Sequence, residues 1–173
     1  LSFLLTACPF ESNMPLEKAP VEPVDSSLLG FWYGIVKDGS DYFGIEALEI
    51  SRQSDSLYSV IRYGKAVKGD MILPDTSFYT AYSSRVRDQS FMNLAALGPD
   101  GKPNKVWYIS AYSLSQDTLQ VRTVTETFTT RKSFPRPEDF KKLVLDMSQN
   151  RNIFDELFTL SYRKIPKPAS FKP

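Results

Sequence analysis

Alternating apolar and polar residues run in short stretches through the middle of the chain, between residues 30 and 128. A period of two is typical of β-strands, and the Gly, Asp, Asn and Pro residues between the stretches favour tight turns. Because the connections are too short for crossovers, neighbouring strands should pair antiparallel. The pattern predicts strands over 30–37, 43–52, 56–64, 66–72, 77–87, 90–97, 105–114 and 117–128.

One later stretch follows a different period. Pro137, followed by two acidic residues, is typical of the first turn of a helix. The pattern predicts a helix over 137–148, packed on the outside of the sheet through one apolar stripe. That stripe is formed at positions i, i+3, i+4 and i+7 by Phe140, Leu143, Val144 and Met147.

The end of the chain returns to strand spacing. Residues 152–158 predict a shorter helical turn with Asn152 as its cap, and residues 159–165 predict a final strand. This strand needs a partner, and the free edge of the first strand is available to it. Such a pairing would close an up-and-down antiparallel β-barrel of about eight or nine strands. We therefore predict an all-β fold with one helix before the last strand; the alternative is an open sandwich.

The chain begins with an apolar run, 1–7, that is shorter than the roughly 20 residues needed to span a bilayer. It is typical of the end of a signal peptide. The sequence Leu5-Thr6-Ala7-Cys8 resembles the bacterial lipobox, which implies cleavage before Cys8 and acylation of its sulfur. The alternative is a truncated apolar terminus with a buried free cysteine.

Composition suits a single domain, since the chain has 173 residues of which 42% are apolar. Residues 9–27 contain four prolines and no apolar period, which predicts an extended, mobile linker. The resulting organisation is a signal-peptide remnant (1–7), a lipid anchor and linker (8–28), a barrel (29–166) and a tail (167–173).

The lipobox resemblance implies a lipid-anchored cell-envelope protein. Pro9 in place of an aspartate favours the periplasmic face of the outer membrane in a cell that has one.

The first predicted strand opens with Gly30, Phe31 and Trp32, which resembles the Gly-x-Trp signature of lipocalins. In that family the tryptophan plugs the base of a ligand-binding barrel. The order of β-meander, helix and final strand is also similar to that of the wider calycin group. The family's Thr-Asp-x-x-Tyr turn motif is absent, and the alternative for Trp32 is an ordinary structural tryptophan.

Catalytic chemistry has little support in this sequence. There is no histidine, and the single cysteine is assigned to the lipid, which excludes Ser-His and Cys-His nucleophile systems. Glu46 and Glu49 fall on opposite faces of a strand and so do not form a metal-binding or catalytic pair. A net charge of +1 does not indicate the strongly basic surface that nucleic-acid binding requires. We predict a non-enzymatic protein without metal or cofactor.

A ligand-binding site has more support in the sequence than a catalytic site, because tyrosine and serine share a face on two predicted strands. Such a face suits a partly hydrated pocket better than a dry core. The expected ligand is a small apolar or amphipathic molecule such as a fatty acid or lysolipid. The alternative is a fully packed barrel with outward tyrosines that docks another envelope protein. The candidate ligand-binding residues are Trp32, Phe78, Tyr82, Tyr108 and Tyr112.

Overall fold

Eight antiparallel strands form a closed barrel in chain order, as seen in a computed structural model that describes residues 10–38, 42–68, 71–125, 134–148 and 153–169. Within these residues, a short 3-10 helix (Ser26–Leu28) precedes the barrel, and one α-helix, α1 (Pro137–Ser148), lies before the last strand. The all-β, up-and-down architecture is therefore confirmed. The strands are β1 (Gly30–Asp38), β2 (Tyr42–Arg52), β3 (Tyr58–Lys68), β4 (Met71–Val86), β5 (Gln89–Leu97), β6 (Pro103–Ser115), β7 (Thr118–Val124) and β8 (Phe154–Ile165).

Pairing of the first and last strands closes the barrel, as the sequence predicts. The register of β1 and β8 runs from Phe31 opposite Ile165 to Gly34 opposite Tyr162. A methyl group at Gly34 would lie 2.8 Å from Cδ1 of Tyr162 and 2.9 Å from the backbone oxygen of Ser161. Glycine at this position therefore lets the Tyr162 ring pass close to β1.

The strand count is eight because the region predicted as three strands forms two. The pattern predicts strands over 56–64, 66–72 and 77–87, whereas β3 and β4 form one long hairpin that pairs from Tyr58–Ala81 to Lys68–Met71. Pro74 lies inside β4 instead of ending a strand. The described pairs between β4 and β5 begin at Tyr79, so β3 is the neighbour of β4 at Pro74. Proline has no backbone N–H group to donate, so it is tolerated at a strand position that is paired with one neighbouring strand only.

The predicted helical turn over 152–158 is wrong for the residues described there. β8 begins at Phe154, which pairs with Val124 of β7. Ile153 is fully buried beside Phe140 and Val144 of α1. Burial and the ladder with β7 thus outweigh a local helix signal, which is weak over so few residues. Asn152, the proposed cap, lies outside the described residues.

The two larger apolar clusters among the described residues lie on opposite sides of the sheet. The inner cluster fills the base of the barrel and includes Trp32, Tyr58 and Tyr162. The outer cluster covers the outside of β5, β6 and β7 and includes Phe91, Ile109 and Val124. The stripe of α1 packs here: Phe140 and Val144 are buried, and Leu143 and Met147 are partly buried against the same cluster. The predicted docking of the helix on the outside of the barrel is therefore confirmed.

The N-terminal segment, residues 10–17, lies against this outer surface, whereas the sequence predicts a mobile linker over 9–27. The backbone of Phe10 donates to the oxygen of Val124 at 2.9 Å, and Ser12 forms a two-way backbone bridge with Trp107. Leu16 is almost fully buried. Hydrophobic periodicity does not detect this packing, because the prolines interrupt the segment and its apolar residues are buried singly, without a regular spacing. Cys8, the predicted lipid anchor, lies outside the described residues.

Candidate functional site

A cavity of about 460 Å³ lies inside the barrel. Its volume falls within the range of about 300–1,000 Å³ typical of small-molecule pockets. Aliphatic side chains of β2, β3, β5, β7 and β8 form much of its wall, and polar or aromatic side chains of β2, β3, β4, β6, β7 and β8 complete it. The barrel is therefore not fully packed. The main aliphatic lining residues are Leu48, Ile50, Val60, Leu94, Val121 and Leu160.

The base of the barrel is closed by aromatic residues and by the short 3-10 helix. Trp32 is fully buried, and its indole Nε1 donates to the backbone oxygen of Leu28 at 2.8 Å. The ammonium of Lys164 lies 5.3 Å from the centroid of the Trp32 ring, within the range of a cation–π contact. Tyr58 is also fully buried, and its hydroxyl accepts from the backbone of Asp25 at 2.7 Å. These contacts seal one end of the cavity.

Three polar side chains meet on the cavity wall. Glu46 is 7% exposed and points inward from β2. Its Oε1 accepts a hydrogen bond from the Tyr162 hydroxyl at 2.7 Å, and its Oε2 lies 3.2 Å from a guanidinium nitrogen of Arg62. Burial, followed by the charge and hydrogen bond of Glu46, holds the pKa of Tyr162 well above its usual range. Tyr162 therefore stays protonated and donates to the carboxylate.

Three further tyrosines extend the polar part of the lining. Tyr79 and Tyr108 meet edge to face, with ring centroids 6.3 Å apart. The Tyr108 hydroxyl donates to Oε1 of Glu11 at 3.0 Å, and burial together with this contact raises the pKa of Tyr108 to about 12. Burial also raises the pKa of Tyr112, deeper in the cavity. At neutral pH the phenols of Tyr108 and Tyr112 are therefore hydrogen-bond donors.

The sequence-predicted residues fall on both sides of the sheet. Tyr108 and Tyr112 line the cavity, and Trp32 lies beneath it at the closed base. Phe78 and Tyr82 do not line it: Phe78 is 43% exposed on the outer face, and Tyr82 is buried beneath the N-terminal segment. The cavity wall on β4 comes from Tyr79, on the opposite face of that strand.

Glu46, Arg62 and Tyr162 are three polar lining residues that sequence reasoning missed. A usable signal existed, since Glu46 shares one strand face with Leu48 and Ile50, and Arg62 shares another with Val60. A charge on an otherwise apolar strand face indicates either an exposed strand end or a buried pair. The opposite faces predicted for Glu46 and Glu49 are correct, because Glu49 points outward and pairs with Lys167 at 2.8 Å.

Other kinds of site find no support in the described part of the chain. No group of three or more Cys, Asp or Glu side chains there is arranged to hold a metal ion. No α-helix among the described residues has the length and apolar character needed to cross a bilayer.

Comparison with known proteins yields no relative. No protein-family model, curated protein or solved structure matches the chain. A functional assignment therefore rests on the geometry and chemistry of the cavity.

Proposed function

We propose that this protein is a non-enzymatic binding protein of the cell envelope that holds one small hydrophobic or amphipathic molecule inside its barrel. The cavity of about 460 Å³ is the observation that carries the proposal. A fatty acid and a lysolipid are examples of the class. The rival function, a protein-docking barrel, was predicted for a fully packed interior, and the cavity favours ligand binding over it.

The chemistry of the lining supports an amphipathic ligand. Each methylene group transferred from water to an apolar wall contributes about 0.8 kcal/mol, so an alkyl chain against Leu48, Leu94 and Leu160 would bind through burial. The phenols of Tyr108 and Tyr112 would orient a polar end. Trp32 at a closed base is also compatible with the lipocalin-like reading of the Gly-x-Trp sequence.

Filling the cavity is expected to abolish binding. Leu94→Trp would place an indole inside the barrel, because Leu94 lines the cavity. Phe78→Trp is the matched control, since the 43% exposed Phe78 lies on the outer face. Native mass spectrometry of protein purified from its own membrane, followed by organic extraction, measures bound lipid. A lipid-free wild type that binds no fatty acid, monoacylglycerol or lysolipid would refute the proposal.

Attachment through Cys8 would fit the position of the N-terminal segment. Phe10 is hydrogen-bonded to Val124 at the end of β7, away from the base formed by Trp32. Two residues span at most about 7 Å, so a lipid on Cys8 would attach close to that end of the barrel. The cavity would then be held near the bilayer, which is the source of an amphipathic ligand.

Cys8→Ser in the full-length gene is expected to move the protein from the membrane fraction to the soluble fraction. The reason is that acyl chains supply the membrane affinity of an anchored domain. Cell fractionation and metabolic labelling with a fatty acid measure the change, with Ser12→Ala as a nearby substitution that keeps the thiol. A wild type that is already soluble and unlabelled would rule out the anchor.

A further inference from the structure

We infer that the cavity selects amphiphiles with an uncharged, hydroxyl-bearing head group, such as monoacylglycerols, over fatty-acid anions. This inference rests on the proposed function and narrows its ligand class. It follows from the charges that the described residues place on the cavity wall and from the way they are paired.

The described cavity wall carries one acid and one base, and they face each other. Glu46 and Arg62 form an ion pair at 3.2 Å, so their formal charges cancel. Both oxygens of Glu46 are engaged, one by Arg62 and the other by Tyr162. Lys164 is solvent-exposed at the base, where its ammonium donates to the backbone oxygen of Ser27. It is not among the described lining residues.

A fatty-acid anion would therefore meet a wall whose cation is already paired. Its carboxylate would have to compete with Glu46 for Arg62 or remain without a counter-ion in an apolar cavity. An uncompensated buried carboxylate is strongly unfavourable. Glu11 accepts from Tyr108 and adds a second negative group beside the polar part of the lining.

An uncharged hydroxyl group meets no such penalty. The phenols of Tyr79 and Tyr112 line the cavity and can donate to a hydroxyl oxygen. Ser110 and Thr123 line the same cavity and hydrogen-bond to each other at 2.9 Å, which leaves one hydroxyl proton and several lone pairs for a ligand. A hydroxyl group both donates and accepts, so it matches this mixed lining, whereas a carboxylate only accepts.

The test compares a monoacylglycerol, the fatty acid with the same acyl chain and the methyl ester of that acid, at neutral pH and below their micellar concentrations. Titration calorimetry on the wild type should show the monoacylglycerol binding about tenfold or more tightly than the acid. The methyl ester should also bind more tightly than the acid, which separates charge from the size of the glycerol group. Equal or tighter binding of the acid would overturn the inference while leaving ligand binding intact. Binding of none of the three would instead overturn the proposed function and this inference with it.

Glu46→Gln supplies a second arm, because it removes the carboxylate that neutralises Arg62. The variant should bind the fatty acid about tenfold more tightly than the wild type does, with little change for the methyl ester. Glu49→Gln, on the outer face, is the matched control and should leave all three affinities unchanged. Unaltered affinity for the acid in a folded Glu46→Gln variant would contradict the role of the ion pair. The wild-type comparison decides the inference on its own if this variant does not fold.

Discussion

Replacing Phe140 with alanine is expected to lower the free energy of unfolding by about 3–5 kcal/mol, as for other fully buried phenylalanines. Phe140 is 0% exposed and stacks on Phe134 with ring centroids 4.8 Å apart. It also meets Phe10 edge to face at 5.7 Å. One ring thus joins α1, the segment before the helix and the N-terminal segment, and its loss would loosen all three.

Urea denaturation followed by tryptophan fluorescence measures this change. Lys142→Ala is the matched control, because Lys142 is exposed on the same helix and its truncation should alter stability by less than about 0.5 kcal/mol. Equal unfolding midpoints for the two variants would show that α1 does not dock on the barrel through Phe140.

Asn93→Ala is expected to cost about 2–4 kcal/mol, because it leaves buried polar groups without partners. Asn93 is 0% exposed on the outer face of β5. Its Oδ1 accepts from the backbone of Leu16 at 2.8 Å, and its Nδ2 donates to Oγ of Ser84 at 2.7 Å. This side chain therefore ties the N-terminal segment to the sheet.

The same variant should release the N-terminal segment locally. Lys18 is exposed just beyond Leu16, so trypsin should cleave there faster in the variant than in the wild type. Asn104→Ala, at an exposed position on β6, serves as the control for both measurements. Unchanged cleavage and stability in Asn93→Ala would mean that other contacts of the segment, such as the Ser12 bridge, hold it without Asn93.

The position of the cavity matters for how the ligand proposal is tested. Tyr82 was a sequence-based candidate, yet it packs against Trp107 on the outer face and its hydroxyl donates to the backbone oxygen of Glu17. A charge introduced there would loosen the N-terminal segment without entering the cavity. Leu94 and Phe78 separate these effects, because one faces the interior and the other the solvent.

The sequence by itself was sufficient for most of the elements. Alternation and turn residues mark the positions of β1, β2, β5 and β6, and the apolar spacing after Pro137 marks α1 from its first to its last residue. These are local properties, since each follows from the spacing of neighbouring residues along the chain. Closure of the barrel was also predictable, because a final strand and a free first edge leave few other pairings.

Only the tertiary structure decided which face of β4 and β6 points inward. On β4, Ala81, Tyr82, Ser83 and Ser84 are all buried, because the inner core covers one face while the N-terminal segment covers the other. Alternation in polarity disappears when both faces are buried. The pairing of Glu46 with Arg62 and Tyr162 could not be predicted from the sequence either, since residues of three strands meet only once the barrel closes. The cavity and the pairing of its charges therefore depend on the closed fold, whereas the positions of the strands and of the helix follow from local sequence patterns.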